Sequence, residues 1–316
     1  MQVIIDKGIP FLEGVFPPEI EVLHLSPEEI TSPSVRNADA LIVRTRTCIN
    51  RDLLQGSRVR FVATATIGFD HIDQDYCREA GIHWVSCPGC NAQAVCDYVE
   101  EAISSMKSGK TDLTIGIIGY GHVGKLVANM AQSKGYRVLL SDPPLGIGVS
   151  LEELAPQCDV LTFHTPLTHS DPHPTFHLCN THILSLCKPD ALIINAARGG
   201  VIDEQALIAQ LSAVNCQLST AIDCWENEPH LNHQLLQLAN LASFHTAGYS
   251  IEGKMRASEM CLEAFCKFFS LPILSINKKV VPLHGDSDSG WLQRISNQLK
   301  AQPEQFEQLR KQYKLR

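Results

Sequence analysis

Residues 114–144, TIGIIGYGHVGKLVANMAQSKGYRVLLSDPP, decide the fold of this chain. An apolar run predicts a strand, a glycine-rich turn follows it, and the next residues predict a helix and then a second strand. The turn, Gly119-Tyr120-Gly121-His122-Val123-Gly124, fits the G-x-G-x-x-G pattern of a dinucleotide-binding loop. Because the pattern lies between an apolar strand and a helix, the stretch predicts a dinucleotide-binding β-α-β unit.

The glycine-rich turn also predicts how a cofactor is held. Gly119 permits the tight turn, Gly121 lets a pyrophosphate approach the backbone, and Gly124 lets the helix pack closely on the sheet. The helix that begins near His122 and Val123 directs its free N–H groups at the pyrophosphate. Asp142 follows the second strand at the distance expected for a carboxylate that binds the adenosine ribose. Since such a carboxylate repels a 2'-phosphate, we expect NAD as the cofactor.

Composition limits the partners of the chain. Its 316 residues, 44% of them apolar and 19% charged, suit two globular domains. A net charge of −8 argues against nucleic acid and anionic membranes, while local arginines can still bind a small anion. The start of the sequence lacks the apolar core of a signal peptide, and no segment has the apolar length of a membrane span. Twelve scattered cysteines are typical of reduced thiols, so we expect a cytoplasmic protein.

Cys87-Pro88-Gly89-Cys90 is a C-x-x-C motif with three possible interpretations. A redox pair and half of a metal site are both conceivable. Zinc would need a second pair at comparable spacing, and a thioredoxin-type pair would lie early in its own small domain. We therefore favour a structural turn.

The order of the apolar runs predicts an α/β protein with two domains. In residues 1–90, short strands alternate with helix-length segments, as in a flavodoxin-like substrate domain. A long helix over 91–108 leads into a Rossmann NAD-binding domain, residues 91–247, with six strands in a doubly wound sheet. The predicted strands are Val3–Ile5, Val22–Leu23, Ala40–Val43, Phe61–Ala63, His83–Val85, Ile115–Ile118, Val138–Ser141, Val160–Phe163, Ala191–Asn195, Ser219–Ile222 and Leu241–Ser243.

The remaining residues form a predicted appendage. A helix within 248–272 is expected to return to the first domain, and 273–316 form a short, dimerisation-like tail. The tail has two amphipathic pieces, one around Trp291 and Leu299 and another around Phe306 and Tyr313. These stripes can cover a second subunit, as in a homodimer, or pack on their own chain; both alternatives stay open.

A histidine-rich segment, residues 164–182, suggests a metal site at first sight. His169, His173 and His177 have helical spacing, but Pro172 and Pro174 prevent a helix there. We therefore predict a loop and no metal.

Three further polar motifs follow successive strands, and they contain Arg198, Glu228 and His245. An arginine can bind a carboxylate with two parallel hydrogen bonds. A histidine can accept a hydroxyl proton near neutral pH, and a glutamate on its other ring nitrogen fixes the tautomer. The set is suited to hydride transfer to or from a 2-hydroxy acid. A surface ion pair, a turn acid and a structural histidine are the alternatives for each residue alone.

These motifs resemble the D-isomer-specific 2-hydroxyacid dehydrogenase family over nearly the whole chain. The runs T-A-T-x-G-x-D-H from Thr64, P-G-C-N-A from Pro88 and H-x-A-G-Y-x-x-E-G-K from His245 resemble a narrower group that acts on a phosphorylated 2-hydroxy acid. The resemblance implies that Arg198, Glu228 and His245 are catalytic, with His245 as proton acceptor during oxidation. It also implies further contacts, to the cofactor from Asp142, Thr165, Ala197, Asp223 and Gly248, and to the substrate from Thr45, Thr66 and Tyr249.

The phosphate of such a substrate needs a cation, and Arg44 or Arg46 beside Thr45 can supply it. Two alternatives remain for the function. One is another D-2-hydroxyacid dehydrogenase, for example of the phosphoglycerate type, and the other is a non-catalytic NAD(H)-sensing interaction protein.

Overall fold

A computed structural model describes residues 1–170, 172–276 and 290–313. Their backbone divides into two compact units. The first contains residues 1–91 and 250–276, and the second contains 92–249 and 290–313. The predicted boundary between residues 90 and 91 lies one residue before this division.

The first unit is built on a five-stranded parallel sheet. Its strands are β1 (Gln2–Asp6), β2 (Glu21–Leu25), β3 (Ala40–Val43), β4 (Phe61–Thr64) and β5 (His83–Val85). They lie in the order β2-β1-β3-β4-β5, which is the flavodoxin-like order. Every residue of β3 and β4 is buried, because both faces of the sheet are covered. The predicted flavodoxin-like fold is therefore confirmed.

Helices cover the two faces of this sheet: α1 (Ser32–Val35), α2 (Arg51–Leu54), α3 (Gln74–Glu79) and, much later in the chain, α10 (Ile251–Phe268). Ser250 begins α10, where its hydroxyl accepts a hydrogen bond from the Gly253 N–H at 2.9 Å. The apolar stripe of α10 includes Cys261 and Phe265, and it packs on β1, β3 and β4. Phe265 meets Phe61 edge to face, with 6.1 Å between ring centroids.

The second unit is built on a seven-stranded sheet. Its strands are β6 (Thr114–Ile118), β7 (Arg137–Asp142), β8 (Ile147–Gly148), β9 (Val160–Phe163), β10 (Leu192–Asn195), β11 (Ser219–Ile222) and β12 (Leu241–Ala242). Their order is β12-β11-β10-β9-β6-β7-β8, and only β8 pairs antiparallel. The six predicted strands and the Rossmann-type sheet are confirmed. The short strand β8 was not predicted, because two residues carry no periodic pattern.

The helices of the second unit are α4 (Ala92–Met106), α5 (His122–Ser133), α6 (Leu151–Leu154), α7 (Thr181–Leu186), α8 (Glu204–Leu211), α9 (His233–Leu238), α11 (Trp291–Ala301) and α12 (Phe306–Gln312). The two amphipathic pieces of the tail are α11 and α12. Leu292, Leu299 and Phe306 are almost completely buried in the core of the same unit. The stripes thus pack on their own chain, which was one of the two alternatives.

The cysteines are all free thiols. Cys90 N–H donates to the Cys87 carbonyl at 3.2 Å, so the C-x-x-C motif forms the predicted turn. Across the described ranges, the helices are too short or too polar to span a membrane.

Candidate active site

The glycine-rich turn joins β6 to α5. Its geometry depends on glycine at two positions, where a side chain would collide with the backbone. Gly119 has a φ of +92°, and a Cβ placed there would lie 2.7 Å from the His164 carbonyl oxygen. A Cβ on Gly124 would lie 2.0 Å from the Gly119 carbonyl oxygen, so only glycine lets the helix approach the turn so closely. Above Gly121 the space is open, with no atom within 4 Å of a Cβ position.

This turn fits the pyrophosphate of a dinucleotide. Gly121 is the N-cap of α5 and supplies no side chain to the first turn of the helix. The N–H groups of that turn therefore remain available to an anion, at the positive end of the helix dipole. His122 and Val123 are the first two residues of α5, directly beside the open space.

Two polar side chains lie close to the turn. Asp142, at the end of β7, accepts a hydrogen bond from the Tyr120 N–H at 2.7 Å, which places its carboxylate beside the glycines. Thr165 follows β9, and its hydroxyl is buried without a hydrogen-bond partner among the described residues. Since a buried hydroxyl normally has a partner, Thr165 is suited to bind a polar group of the cofactor. The roles of both residues as cofactor ligands remain predictions.

Glu228 and His245 form a direct hydrogen bond in the second unit. His245 Nδ1 lies 2.8 Å from Glu228 Oε2, and the other carboxylate oxygen accepts from the Trp225 N–H at 2.9 Å. The carboxylate is thus fixed from both sides. The His245 side chain is 32% exposed, which leaves the ring within reach of a ligand while its Nδ1 is occupied.

Burial and charge act in opposite directions on this pair. Burial of the imidazole opposes its protonation, but the Cys224 sulfur and the Glu228 carboxylate raise the pKa of His245 well above its ordinary value. Burial also opposes ionisation of Glu228, yet hydrogen bonds from His245 and the Trp225 N–H lower the pKa of Glu228 below its ordinary value. The arrangement therefore favours a carboxylate beside an imidazole that readily accepts a proton.

Asp223 anchors the loop that carries His245. Its carboxylate is 1% exposed and accepts hydrogen bonds from the Ser243 hydroxyl at 2.6 Å, the Thr246 N–H at 2.8 Å and the Ala247 N–H at 2.9 Å. The contacts of Asp223 are therefore with the protein, and its predicted place at the nicotinamide remains a prediction. Gly248, predicted beside the same ring, follows this anchored segment.

Asn195 anchors the loop that carries Arg198. Its side-chain amide donates to the Arg198 carbonyl at 3.0 Å and accepts from the Ala197 N–H at 3.1 Å. The Arg198 guanidinium donates to the Ala197 carbonyl at 2.8 Å. Sequence reasoning missed Asn195 and Ser243 as loop anchors. The available signal was a polar residue at the end of an otherwise apolar strand.

The predicted substrate ligands are divided between the units. Thr45, Thr66, Arg44 and Arg46 belong to the first unit, whereas Tyr249 belongs to the second with Arg198, Glu228 and His245. Thr66 follows β4, and its hydroxyl donates to the Gly68 carbonyl at 2.9 Å. Thr45 and Arg46 are exposed on the loop after β3.

Arg44 already has a partner. Its guanidinium makes two hydrogen bonds of 2.8 Å with the fully buried carboxylate of Asp6. Because this ion pair compensates the charge of Arg44, the exposed Arg46 is the stronger candidate for a substrate phosphate.

The histidine-rich segment forms no helix over residues 164–170 and 172–180, as predicted. His177 lies between two carboxylates, with Nε2 at 3.0 Å from Glu226 and Nδ1 at 3.7 Å from Asp203. These three side chains, and separately Cys224, Glu228 and His245, have ligand atoms close enough for a metal ion. In the first group, His177 is hydrogen-bonded to Glu226 through Nε2 and lies at ion-pair distance from Asp203 through Nδ1.

Comparisons with known proteins agree with this geometry. Residues 97–247 match the family described as D-isomer specific 2-hydroxyacid dehydrogenase, NAD binding domain. An erythronate-4-phosphate dehydrogenase from Bacteroides thetaiotaomicron is 41% identical, and the alignment covers 100% of this chain and 97% of that protein. One from Cronobacter sakazakii is 37% identical, covering 100% of this chain and 92% of that protein.

The chain belongs to the D-isomer-specific 2-hydroxyacid dehydrogenase family. As a member of that family it is an NAD-dependent dehydrogenase, so the predicted enzyme class and cofactor are confirmed. The NAD⁺-bound 3-phosphoglycerate dehydrogenase from Entamoeba histolytica has the same fold as this dehydrogenase. Its TM-score is 0.71 at 23% identity, covering 88% of this chain and 99% of that one.

Proposed function

We propose that this dehydrogenase oxidises 4-phospho-D-erythronate to 2-oxo-3-hydroxy-4-phosphobutanoate, a step in the biosynthesis of pyridoxal 5'-phosphate. This substrate assignment is supported by the names of the two relatives that align with the whole of this chain. The observation that carries the reaction type is the 2.8 Å hydrogen bond between His245 and Glu228, in the unit that contains the glycine-rich turn. NAD, when bound, supplies the hydride acceptor.

His245 is the proposed base. Its Nδ1 is held by Glu228, so Nε2 is the ring nitrogen that accepts the proton of the substrate hydroxyl. The hydride leaves the carbon that bears this hydroxyl at the same time. The imidazolium that forms is stabilised by the Glu228 carboxylate, which stays ionised throughout. The Asp223 and Trp225 contacts keep this pair in place.

Arg198 is the proposed ligand of the substrate carboxylate. Its planar guanidinium can donate two parallel hydrogen bonds, and the Asn195 contacts fix the loop that positions it. Thr45, Thr66 and Tyr249 supply hydroxyls for a polyhydroxylated chain. Arg46 supplies a cation for the terminal phosphate, with Arg44 as the alternative.

The remaining parts of the proposal concern the cell and the assembly. We assign the enzyme to the cytoplasm, where its twelve free thiols stay reduced. We also assign it a homodimeric state, with residues 1–90 as the substrate domain and 273–316 as a dimerisation tail that uses surfaces other than its two buried apolar stripes. Sedimentation of the purified protein checks the assembly.

A panel of 2-hydroxy acids tests the substrate. NADH formation is measured with 4-phospho-D-erythronate, unphosphorylated D-erythronate, 3-phosphoglycerate and D-lactate. We expect the highest kcat/KM with 4-phosphoerythronate. An Arg46→Ala variant should lose rate on the phosphorylated acid and keep its rate on D-erythronate. Preference for an unphosphorylated acid would remove the phosphate role of Arg46.

His245→Ala tests the chemistry itself. We expect kcat to fall by about 10²–10⁴-fold, the contribution of a positioned general base. NADH binding, followed by fluorescence, should persist because the glycine-rich turn is unchanged. NAD-dependent binding of a protein partner, with no turnover of any acid by the wild type, would instead indicate a sensor.

A further inference from the structure

The tail helix α12 brings a cation to the proposed active site. Arg310 Nε donates a hydrogen bond to the Tyr249 hydroxyl at 3.1 Å. The guanidinium carbon of Arg310 also lies 5.7 Å from the centroid of the Tyr249 ring. Tyr249 is separated from Arg310 by 61 residues in the sequence, and both belong to the second unit. The contact between Arg310 and Tyr249 therefore depends on the tertiary packing of α12 in this unit.

The position of Arg310 is fixed by its neighbours on α12 and by Tyr313, which follows the helix. Phe306 and Leu309 are 1% and 4% exposed and lie in the core of the second unit. Tyr313 packs edge to face on Phe244, one residue before His245, with ring centroids 5.7 Å apart. Three apolar anchors thus hold the short helix, and the side chain of Arg310 extends from it towards Tyr249.

Arg310 is also electrostatically coupled to the proposed catalytic pair. Its Nη1 lies 3.4 Å from the Glu307 carboxylate, which is 42% exposed. Burial opposes the charge of Arg310, but the nearby Tyr249, Glu228 and Glu307 raise its pKa. Its positive charge in turn contributes to the lowered pKa of Glu228. The groups that act on His245 in this region are Cys224 and Glu228.

We propose that Arg310 is a positioning residue of the dehydrogenase, orienting the Tyr249 hydroxyl towards the substrate and sharing the charge of Glu228. The proposal rests on the function proposed above for Glu228, His245 and Tyr249. A phenolic oxygen that accepts a hydrogen bond from a cation becomes a better donor of its own proton. With Arg310 in place, the Tyr249 hydroxyl therefore donates its hydrogen bond to an anionic or hydroxyl oxygen of the substrate.

Two consequences separate this role from a structural one. Without Arg310 the Tyr249 hydroxyl loses a hydrogen bond that directs it. KM for the hydroxy acid should therefore rise by about tenfold, as expected for one charge-assisted hydrogen bond. Without the cation, the full charge of Glu228 acts on the imidazolium, so His245 should lose its proton at higher pH. The acidic limb of kcat/KM for oxidation should then move to higher pH.

The experiment compares Arg310→Ala, Arg310→Lys, Tyr249→Phe and the double variant R310A/Y249F, with Lys311→Ala as control. Lys311 is the exposed neighbouring cation on the same helix. We expect R310A to raise KM and to move the acidic limb of the pH profile of kcat/KM to higher pH. R310K should raise KM and leave this limb in place, because the positive charge is kept. Y249F should raise KM only. The KM effects of R310A and Y249F should not add, since both remove one contact.

Other outcomes overturn the proposal. One is that R310A has the same KM and the same pH profile as K311A. Another is that the effects of R310A and Y249F on KM add in the double variant. A third is that R310A and R310K shift the acidic limb of the pH profile equally. Tm and NADH binding, measured for each variant, identify any loss of fold, and R310K then carries the test. The assays use whichever acid of the panel reacts fastest, so a wrong substrate assignment does not affect them.

A readout without turnover separates this proposal from the function on which it rests. The Arg310 Nε–H should be protected from hydrogen exchange by NMR in the wild type and exchange fast in Y249F. An unprotected Nε–H in the wild type would contradict the contact, whatever the enzyme oxidises.

Discussion

His245 has a left-handed backbone conformation, with a φ of +57°. For a residue other than glycine this conformation costs about 1–3 kcal/mol and persists only where the surroundings hold it. Here the Asp223 carboxylate binds the next two backbone N–H groups, and the Asp223 carbonyl accepts from the His245 N–H at 3.0 Å. The buried acid thus enforces a backbone that presents the imidazole to Glu228.

Glu228→Gln measures what the charge of the orienting residue contributes. The amide keeps the size of the side chain but removes the negative charge that raises the pKa of His245. His245 should then lose its proton at lower pH, so the acidic limb of kcat/KM for oxidation moves to lower pH. We expect kcat to fall by about 10²-fold or more, because the imidazolium loses its counter-ion. Stopped-flow measurement of NADH formation across pH checks both effects, and an unmoved limb would contradict them.

The residues of the candidate site differ in how far sequence could identify them. Arg198, Glu228 and His245 have side chains whose chemistry is unusual after apolar strands, so their order along the chain already suggests hydride transfer. Asn195 and Arg310 are ordinary residues whose importance comes from their partners. A contact between residues 249 and 310 cannot be inferred from local pattern, because only tertiary packing brings them together.

Among the elements, the β6–α5 turn needs glycine for two different reasons. Gly121 leaves room for a ligand, and Gly124 lets the helix pack closely on the turn. Gly121→Ala places a methyl group in open space, so we expect an unchanged Tm and NAD binding weakened by about tenfold or more. Gly124→Ala places the methyl group against the Gly119 carbonyl, so it should destabilise the fold by about 1–3 kcal/mol. Calorimetry and NAD titration on the two variants check the difference. Equal loss of stability in both would show that the turn is not shaped as described.

The tail helix α11 completes the sheet edge at β12. The Ala242 N–H donates to the buried Ser296 hydroxyl at 2.9 Å, and Lys300 donates to the Ala239 carbonyl. Ser296→Ala leaves the Ala242 N–H buried without a partner, which should cost about 1–3 kcal/mol of unfolding free energy. Gln298→Ala, at an exposed position of α11, is the control and should be nearly neutral. Urea titrations compare the two, and equal midpoints would contradict the role of Ser296.

Most elements could be predicted from sequence because their patterns are local. The helix Glu204–Leu211 forms for such local reasons, since Asp203 provides its N-cap and apolar residues recur at helical spacing. β8 is the exception. Gly148, with a φ of +80°, lies so close to the Leu140 carbonyl that a Cβ would be 1.8 Å from that oxygen. A two-residue strand of this kind depends on its partner and not on its own sequence.

At the scale of the whole molecule, Glu204 should shape the pH dependence of stability. It is 7% exposed, and burial raises its pKa to about 7. The folded state then holds a proton that the unfolded state releases near pH 4.5. This contribution is fully present below pH 4.5 and is lost as pH rises towards about 7.

Glu204→Gln tests that contribution, because the amide keeps an acceptor for the Glu226 N–H but does not titrate. Relative to the variant, the wild type should lose about 2–3 kcal/mol of unfolding free energy between pH 4.5 and about 7. Urea unfolding at several pH values measures the difference, with Glu152→Gln at an exposed site as control. A difference that does not change with pH would contradict the raised pKa.

The first unit is assembled from two distant pieces of chain, and this has a consequence for synthesis on the ribosome. Residues 1–91 emerge long before α10, which supplies Cys261, Leu262 and Phe265 to their core. Until those residues leave the exit tunnel, the face of the nascent sheet that includes Val3, Ile42 and Phe61 lacks its cover. At about 5–20 residues per second, this apolar surface stays open for roughly ten seconds or more. The newly made residues 1–91 therefore expose, for that time, an apolar surface of the kind that chaperones recognise.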